Sequence, residues 1–89
     1  MAWSIELDPA AEKELDKIER QQAKRILAFL FERVAHLEDP RSIGEALKGE
    51  RFKTLWKYRV GDYRIISSIE DKVTRILVVK IGDRKEVYR

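Results

Sequence analysis

The chain has 89 residues, no cysteine, one histidine and a formal net charge of +3. That length predicts one domain over residues 1–89 with a modest core, hiding roughly 60–65% of its unfolded surface. Lack of cysteine excludes a disulfide framework, a thiolate metal site and a cysteine nucleophile. The lone His36 excludes a two-histidine nuclease mechanism, and near a helix end it reads as a surface or C-terminal capping residue. The opening MAWSIELDPAAEKEL lacks the basic stretch and apolar run of a signal peptide. No apolar run approaches the roughly 20 residues of a membrane span, so the expected setting is cytoplasmic, with no membrane partner. Charge is uneven. Residues 1–45 carry 7 Lys/Arg against 10 Asp/Glu, and residues 46–89 carry 12 against 6. A basic half beside an acidic half points to a polyanion as partner of the former.

Trp3-Ser4-Ile5-Glu6-Leu7 alternates apolar and polar side chains as a half-buried strand does. Asp8-Pro9 then starts a helix, Asp8 as N-cap and Pro9 at the first helical position, where its missing N–H costs nothing. Ala11, Leu15 and Ile18 give this helix, about residues 9–19, one apolar face. A second helix follows from Ala23, Ile26, Leu27, Leu30, Val34 and Leu37 at helical spacing. Phe29 and Phe31 widen its stripe and are expected to meet the first helix. Glu38-Asp39-Pro40 ends it. Residues 40–50, PRSIGEALKGE, read as a connector with one helical turn around Glu45–Lys48. Three strands follow, at about 52–60, 63–69 and 73–82. One strand, two helices and a three-stranded meander make an α+β fold: a small antiparallel sheet with two antiparallel helices packed on one face.

The stretch WKYRVGDYRII, Trp56 to Ile66, is a strong hairpin signal, with Gly61-Asp62 as a two-residue turn between β-branched and aromatic residues. Such a turn fixes the register, placing Arg59 opposite Arg64, Tyr58 opposite Ile65 and Lys57 opposite Ile66. Side chains alternate along a strand. Phe52, Thr54, Trp56, Tyr58, Val60, Tyr63, Ile65, Ser67 and Ile69 therefore share the face beneath the helices. Lys53, Leu55, Lys57, Arg59, Arg64, Ile66 and Ser68 share the other. Like charges directly opposite one another destabilise a sheet, so the Arg59–Arg64 pair points to a role other than stability. A three-residue turn at Glu70-Asp71-Lys72 would put Val73, Leu77, Val79 and Ile81 on the core face and Thr74, Ile76, Val78 and Lys80 on the open one. Lys57, Arg59, Arg64, Lys80 and Arg84 then converge over a floor of Ile66 and Val78, an arrangement suited to phosphates.

ALKG at 46–49, then WKYRVGDYRII, then VVKIGDRKEVYR at the C-terminus together resemble the RelE family of bacterial toxins within the wider RelE/ParE superfamily. The likeness runs from DPAAEKEL to Tyr88. It implies a RelE-like fold and a toxin of a type II toxin–antitoxin system. The implied activity is that of an mRNA interferase, a ribosome-dependent endoribonuclease that needs no metal or cofactor. It cuts mRNA in the A site by attack of a ribose 2′-OH on the adjacent phosphate, which inhibits translation. The implied partners are the ribosome and mRNA, and a cognate RelB-like antitoxin in a hetero-oligomer. By motif position the implied catalytic residues are Lys57, Arg64, Arg84 and Tyr88, with Lys53, Arg59 and Lys80 binding RNA phosphate. Arginine forks suit the phosphate. Lys57, crowded by cations, is a candidate base, and Tyr88 a candidate base, proton relay or stacking group. Leu55 stands where RelE has a second lysine, which leaves the base open. Two alternatives stand beside this reading: a ParE-like inhibitor of DNA gyrase, and an inactive member that binds only antitoxin or RNA.

Overall fold

The computed structural model describes residues 2–47 and 55–83. Strand β1, Ser4–Leu7, leads into helix α1, Pro9–Asp16. The Asp8 carboxylate accepts a hydrogen bond from the Ala10 N–H at 2.9 Å, as an N-cap should. Helix α1 closes earlier than expected, tightening into bonds from Lys17 to Glu14 and from Ile18 to Leu15. The second helix occupies its expected stretch in three pieces: α2, Arg20–Ala28, then a wider π turn at Phe29–Arg33 and a 3-10 turn at Val34–His36. Ile26, Leu30 and Val34, four residues apart, are fully buried. Phe31, next to Leu30, points well away from that line and is 47% exposed, so it does not widen the apolar stripe as expected. Phe29 meets the sheet, its ring edge-on to Tyr58 at 5.9 Å. His36 is exposed at the end of this run, as expected.

The expected helical turn around Glu45 is instead a strand. A 3-10 turn at Pro40–Ser42 precedes β2, Glu45–Ala46, which pairs with β3, Leu55–Val60. Strand β4 is Tyr63–Glu70 and β5 is Arg75–Asp83. Among the described residues the sheet has five strands in the order β1-β5-β4-β3-β2. Strands β3 to β5 form the expected antiparallel meander and β2 adds to it antiparallel, whereas β1 runs parallel to β5, so the sheet is mixed rather than antiparallel throughout as expected. A parallel pair needs a long crossover, and the helices lie in the segment between the two strands. Their buried side chains join Tyr58, Val60, Ile65, Ile76, Val78 and Ile81 in one core on a single side of the sheet.

The β4–β5 connection overturns part of the expected facing. Four residues separate Glu70 from its partner Arg75: a 3-10 turn at Asp71–Val73 and then Thr74 at φ 47°. The extra residue reverses the phase. Ile76 and Val78 enter the core at 0% exposure, Leu77 takes the open face, and Val73 is 58% exposed. An irregularity between Ile66 and Ser67 then passes over Val79 and restores the phase, so Lys80 and Ile81 fall on the faces expected of them. Arg41 holds the turn with two bonds to the Asp71 carboxylate, at 2.8 and 3.0 Å; that pair lowers the pKa of Asp71.

Tyr58 is 1% exposed and donates its hydroxyl to the Pro40 carbonyl at 2.6 Å. Burial pushes its pKa up to about 12, against about 10 in an unfolded chain. The unfolded state therefore loses this proton first. The stability Tyr58 contributes is present below pH 10 and is lost as pH rises through 12, by at most about 2–3 kcal/mol. Denaturation from pH 9 to 12 should show a fall in the wild type that is reduced in Tyr58→Phe. At pH 7 the variant should be less stable by about 1–2 kcal/mol, because the Pro40 carbonyl loses its donor.

Candidate nucleic-acid interface

Gly61, at φ +59°, is the left-handed residue of the hairpin turn, and Asp62 is not left-handed, the signature of a type II′ turn. The observed register is the expected one: Val60 with Tyr63, Arg59 with Arg64, Tyr58 with Ile65 and Lys57 with Ile66. Strands β5 and β2 extend these pairs into rows across the open face. Arg59, Arg64 and Gly82 form one row; Glu45, Lys57, Ile66 and Lys80 form the next. The third row is Leu55, Ser68, Leu77 and Glu6, so among the described residues this patch stops at the Lys57 row; Arg75, in the row beyond, is bonded to Glu70 and Glu6.

Opposed residues in such a ladder have Cβ atoms roughly 5 Å apart. Arg59 is exposed, with a long 3.5 Å contact from its Nε to the Gly61 carbonyl. Arg64 is half-buried, and among the described residues its buried Nη1 has no acceptor. A buried donor without a partner costs about 1–3 kcal/mol, more when charged, and an anion would supply the missing partner. Lys57 lies 3.5 Å from the Glu45 carboxylate. Ile66, 4% exposed between Lys57 and Lys80, forms the floor. Val78, expected to share that floor, lies in the core for the reason of phase given above.

Lys57, Arg59, Arg64 and Lys80 are thus brought to one face. Lys53, Arg84 and Tyr88 lie outside the described residues. Glu45 escaped sequence reasoning. Its signal is faint, because a two-residue strand has no periodicity to read. Two cations outside the patch are balanced locally: Arg75 bonds Glu70 at 2.6 Å and Glu6 at 3.2 Å, and Arg41 bonds Asp71. Two clefts of about 300 and 380 Å³ sit between the α1–α2 junction and the hairpin turn. Glu14, Glu19, Asp62 and Asp83 among their walls make them poor seats for phosphate.

A helix-backed sheet whose free face gathers cations over one isoleucine defines a small α+β domain with a cationic surface. The family described as the ParE toxin of type II toxin–antitoxin systems matches residues 5–88, and the chain belongs to that family. It is 24% identical to toxin RelG of Mycobacterium tuberculosis over 100% of this chain and 99% of that protein. To toxin RelE of the same organism it is 25% identical, over 98% and 87%. Among solved structures, it superposes on a chain of the M. tuberculosis RelBE2 toxin–antitoxin complex with a TM-score of 0.85 at 20% identity, covering 97% and 95% of the two chains. A double arginine-to-alanine mutant of E. coli RelE in the free state gives 0.76 at 26% identity, covering 99% and 90%. The chain is therefore a type II toxin of the RelE/ParE superfamily with a RelE-like fold.

Charge repulsion across the hairpin has a measurable cost. Arg64→Met should raise stability by about 1 kcal/mol at low salt. Raising salt from roughly 50 to 500 mM should stabilise the wild type more than the variant, since screening relieves only a repulsion that is still present. Denaturation midpoints at the two salt concentrations check both.

Proposed function

We propose that this toxin is a ribosome-dependent endoribonuclease that cleaves mRNA in the ribosomal A site. The observation that carries the reading is the Arg59–Arg64 pair with Lys57 and Lys80 on one face, with a guanidinium nitrogen of Arg64 that has no acceptor among the described residues. Attack of a 2′-OH on the adjacent phosphate needs a proton acceptor, donors for the charge that builds on the phosphate oxygens, and an acid for the departing 5′-oxygen. Arg64 is the principal donor, with Arg59 beside it; forked guanidinium groups match phosphate geometry. Lys57 sits at the reacting phosphate, and Lys53 and Lys80 bind neighbouring phosphates. Arg84 stabilises the leaving group. Tyr88 relays a proton or stacks on the nucleotide. Ordering of mRNA by the ribosome supplies much of the acceleration through orientation.

A RelB-like antitoxin is the proposed partner, in a hetero-oligomer. Solved relatives from M. tuberculosis, E. coli and Pyrococcus horikoshii are RelB–RelE complexes. An acidic segment, partly disordered when free, would complement the cationic face and suppress encounter with RNA. The expected site of action is the cytoplasm. Among the described residues no helix is long and apolar enough to cross a membrane.

A second reading, inhibition of DNA gyrase, is favoured by one finding: the family that matches the chain is described as ParE. Leu55 in the place of a RelE lysine points instead to the third alternative, an inactive member that only binds. Pulsed expression followed by mapping of new 5′ ends on translated mRNAs and measurement of plasmid supercoiling separates the two. Codon-phased cuts with unchanged supercoiling are expected. Altered supercoiling without cuts would establish the gyrase reading, and neither effect would leave an inactive binding member. Arg64→Ala should abolish toxicity while the variant still folds and binds antitoxin. A fully toxic variant would move the site off this face.

A further inference from the structure

We propose that Glu45 is the catalytic carboxylate of this face, accepting the proton of the attacking 2′-hydroxyl; the proposal rests on the endoribonuclease reading. Strand β2 is only two residues long, yet the segment leading into it is fixed by unusually specific contacts. Tyr58 donates its hydroxyl to the Pro40 carbonyl at 2.6 Å, and Trp56 donates its indole N–H to the Ile43 carbonyl at 2.7 Å. Gly44 takes φ +82°, and a Cβ there would lie 2.4 Å from the Lys57 carbonyl. Beyond β2, the Leu47 N–H bonds the Leu55 carbonyl at 3.2 Å. So short a strand gains little from its own ladder. What the contacts achieve is placement: Glu45 sits opposite Lys57 in register, its carboxylate 3.5 Å from the ammonium.

Within the two cationic rows Glu45 is the one carboxylate among the described residues. Glu6 and Glu70, also on this face, are engaged by Arg75 away from the cations. The Glu45 side chain is 75% exposed, so a substrate can reach it. The chemistry selects it as well. Guanidinium groups do not deprotonate in proteins. An ammonium beside a carboxylate is favoured as the cation, which makes Lys57 a donor rather than a base. Carboxylates as a class are ionised at neutral pH. In the resulting step the 2′-OH proton passes to the Glu45 carboxylate as the O2′–P bond forms. The P–O5′ bond breaks, and the 5′-oxygen takes a proton from a lysine ammonium of the same face. The products are a 2′,3′-cyclic phosphate and a 5′-hydroxyl; water then returns both side chains to their starting charge.

The test is single-turnover cleavage of mRNA on programmed ribosomes by wild type, Glu45→Gln and Lys57→Met across pH 5–9. Ribosome binding and denaturation midpoints are measured alongside. The charged groups facing Glu45 are Lys57 directly opposite and Arg59 two residues along β3. Glu45→Gln should cleave at least about 100-fold more slowly at pH 7 and lose the acid limb, with ribosome binding changed by less than about threefold. Lys57→Met should slow cleavage yet keep the acid limb, because the carboxylate is still in place. Wild-type cleavage by Glu45→Gln overturns the proposal. So does a slow Glu45→Gln that keeps the acid limb, since Glu45 would then only position Lys57. If the wild type fails to cleave on ribosomes, the endoribonuclease reading falls and takes this assignment with it.

Discussion

The two-residue turn at Gly61-Asp62 is the constraint on which the rest depends. A strand has a side-chain period of two, so a slip of one residue would exchange every face assignment between β3 and β4. The type II′ turn prevents that slip, because its twist matches the strands it joins and its length leaves one register. Tyr58, Val60 and Ile65 are thereby committed to the helices, and Lys57, Arg59 and Arg64 to the open side. The repulsion between the two arginines is tolerated because the opposite face of the same two strands buries a tyrosine, a valine and an isoleucine. Burial of such side chains is worth several kcal/mol in sum, more than one exposed like-charge pair costs.

That hairpin was legible in the sequence because its information is local: turn chemistry and alternation lie within eleven consecutive residues. The α1 start was legible for the same reason, from Asp8-Pro9. What escaped depends on longer reach. Strand β2 exists because Trp56 and Tyr58 grip carbonyls 13 and 18 residues earlier, and nothing within PRSIGEALKGE announces those partners. The phase of β5 turned on whether its loop held three residues or four, and Thr74 supplied the fourth in a conformation that few threonines adopt. The compensating irregularity at Val79 was equally silent, although it explains why Lys80 lay where a wrong turn length had put it. Two phase changes cancelled over the length of the strand.

Two groups of cations among the described residues differ in what surrounds them. Arg41 and Arg75 are structural: each bonds carboxylates distant in sequence and ties a turn or strand end to its neighbours. Those on the hairpin face have Glu45 as the single described carboxylate in their rows. The distinction matters more than net charge, which at +3 would not by itself point to a polyanion. It also marks where members of one superfamily can diverge. The helix-backed sheet supports the cationic rows whatever they contact, so fold alone leaves the target open and side chains must decide it. In this chain the cationic patch ends sharply at the Leu55 row, which confines any phosphate contact among the described residues to the turn-proximal half of the sheet.

Strand β3 joins these themes, because its alternate residues serve both sides of the sheet. Trp56 and Tyr58 reach under it to hold the 40–46 connector; Lys57 and Arg59, on the other side, face the open surface. The core and the proposed site are therefore not separable layers: the contacts that bury Tyr58 also bring Glu45 to Lys57. Loosening the connector would cost stability and misplace a carboxylate at once, whereas changing Lys57 or Arg59 leaves the buried side of the strand untouched. Rigid placement of charged groups before substrate arrives is what electrostatic stabilisation of a transition state requires. A chain of 89 residues achieves it here by making one six-residue strand both the wall of the core and the floor of the site.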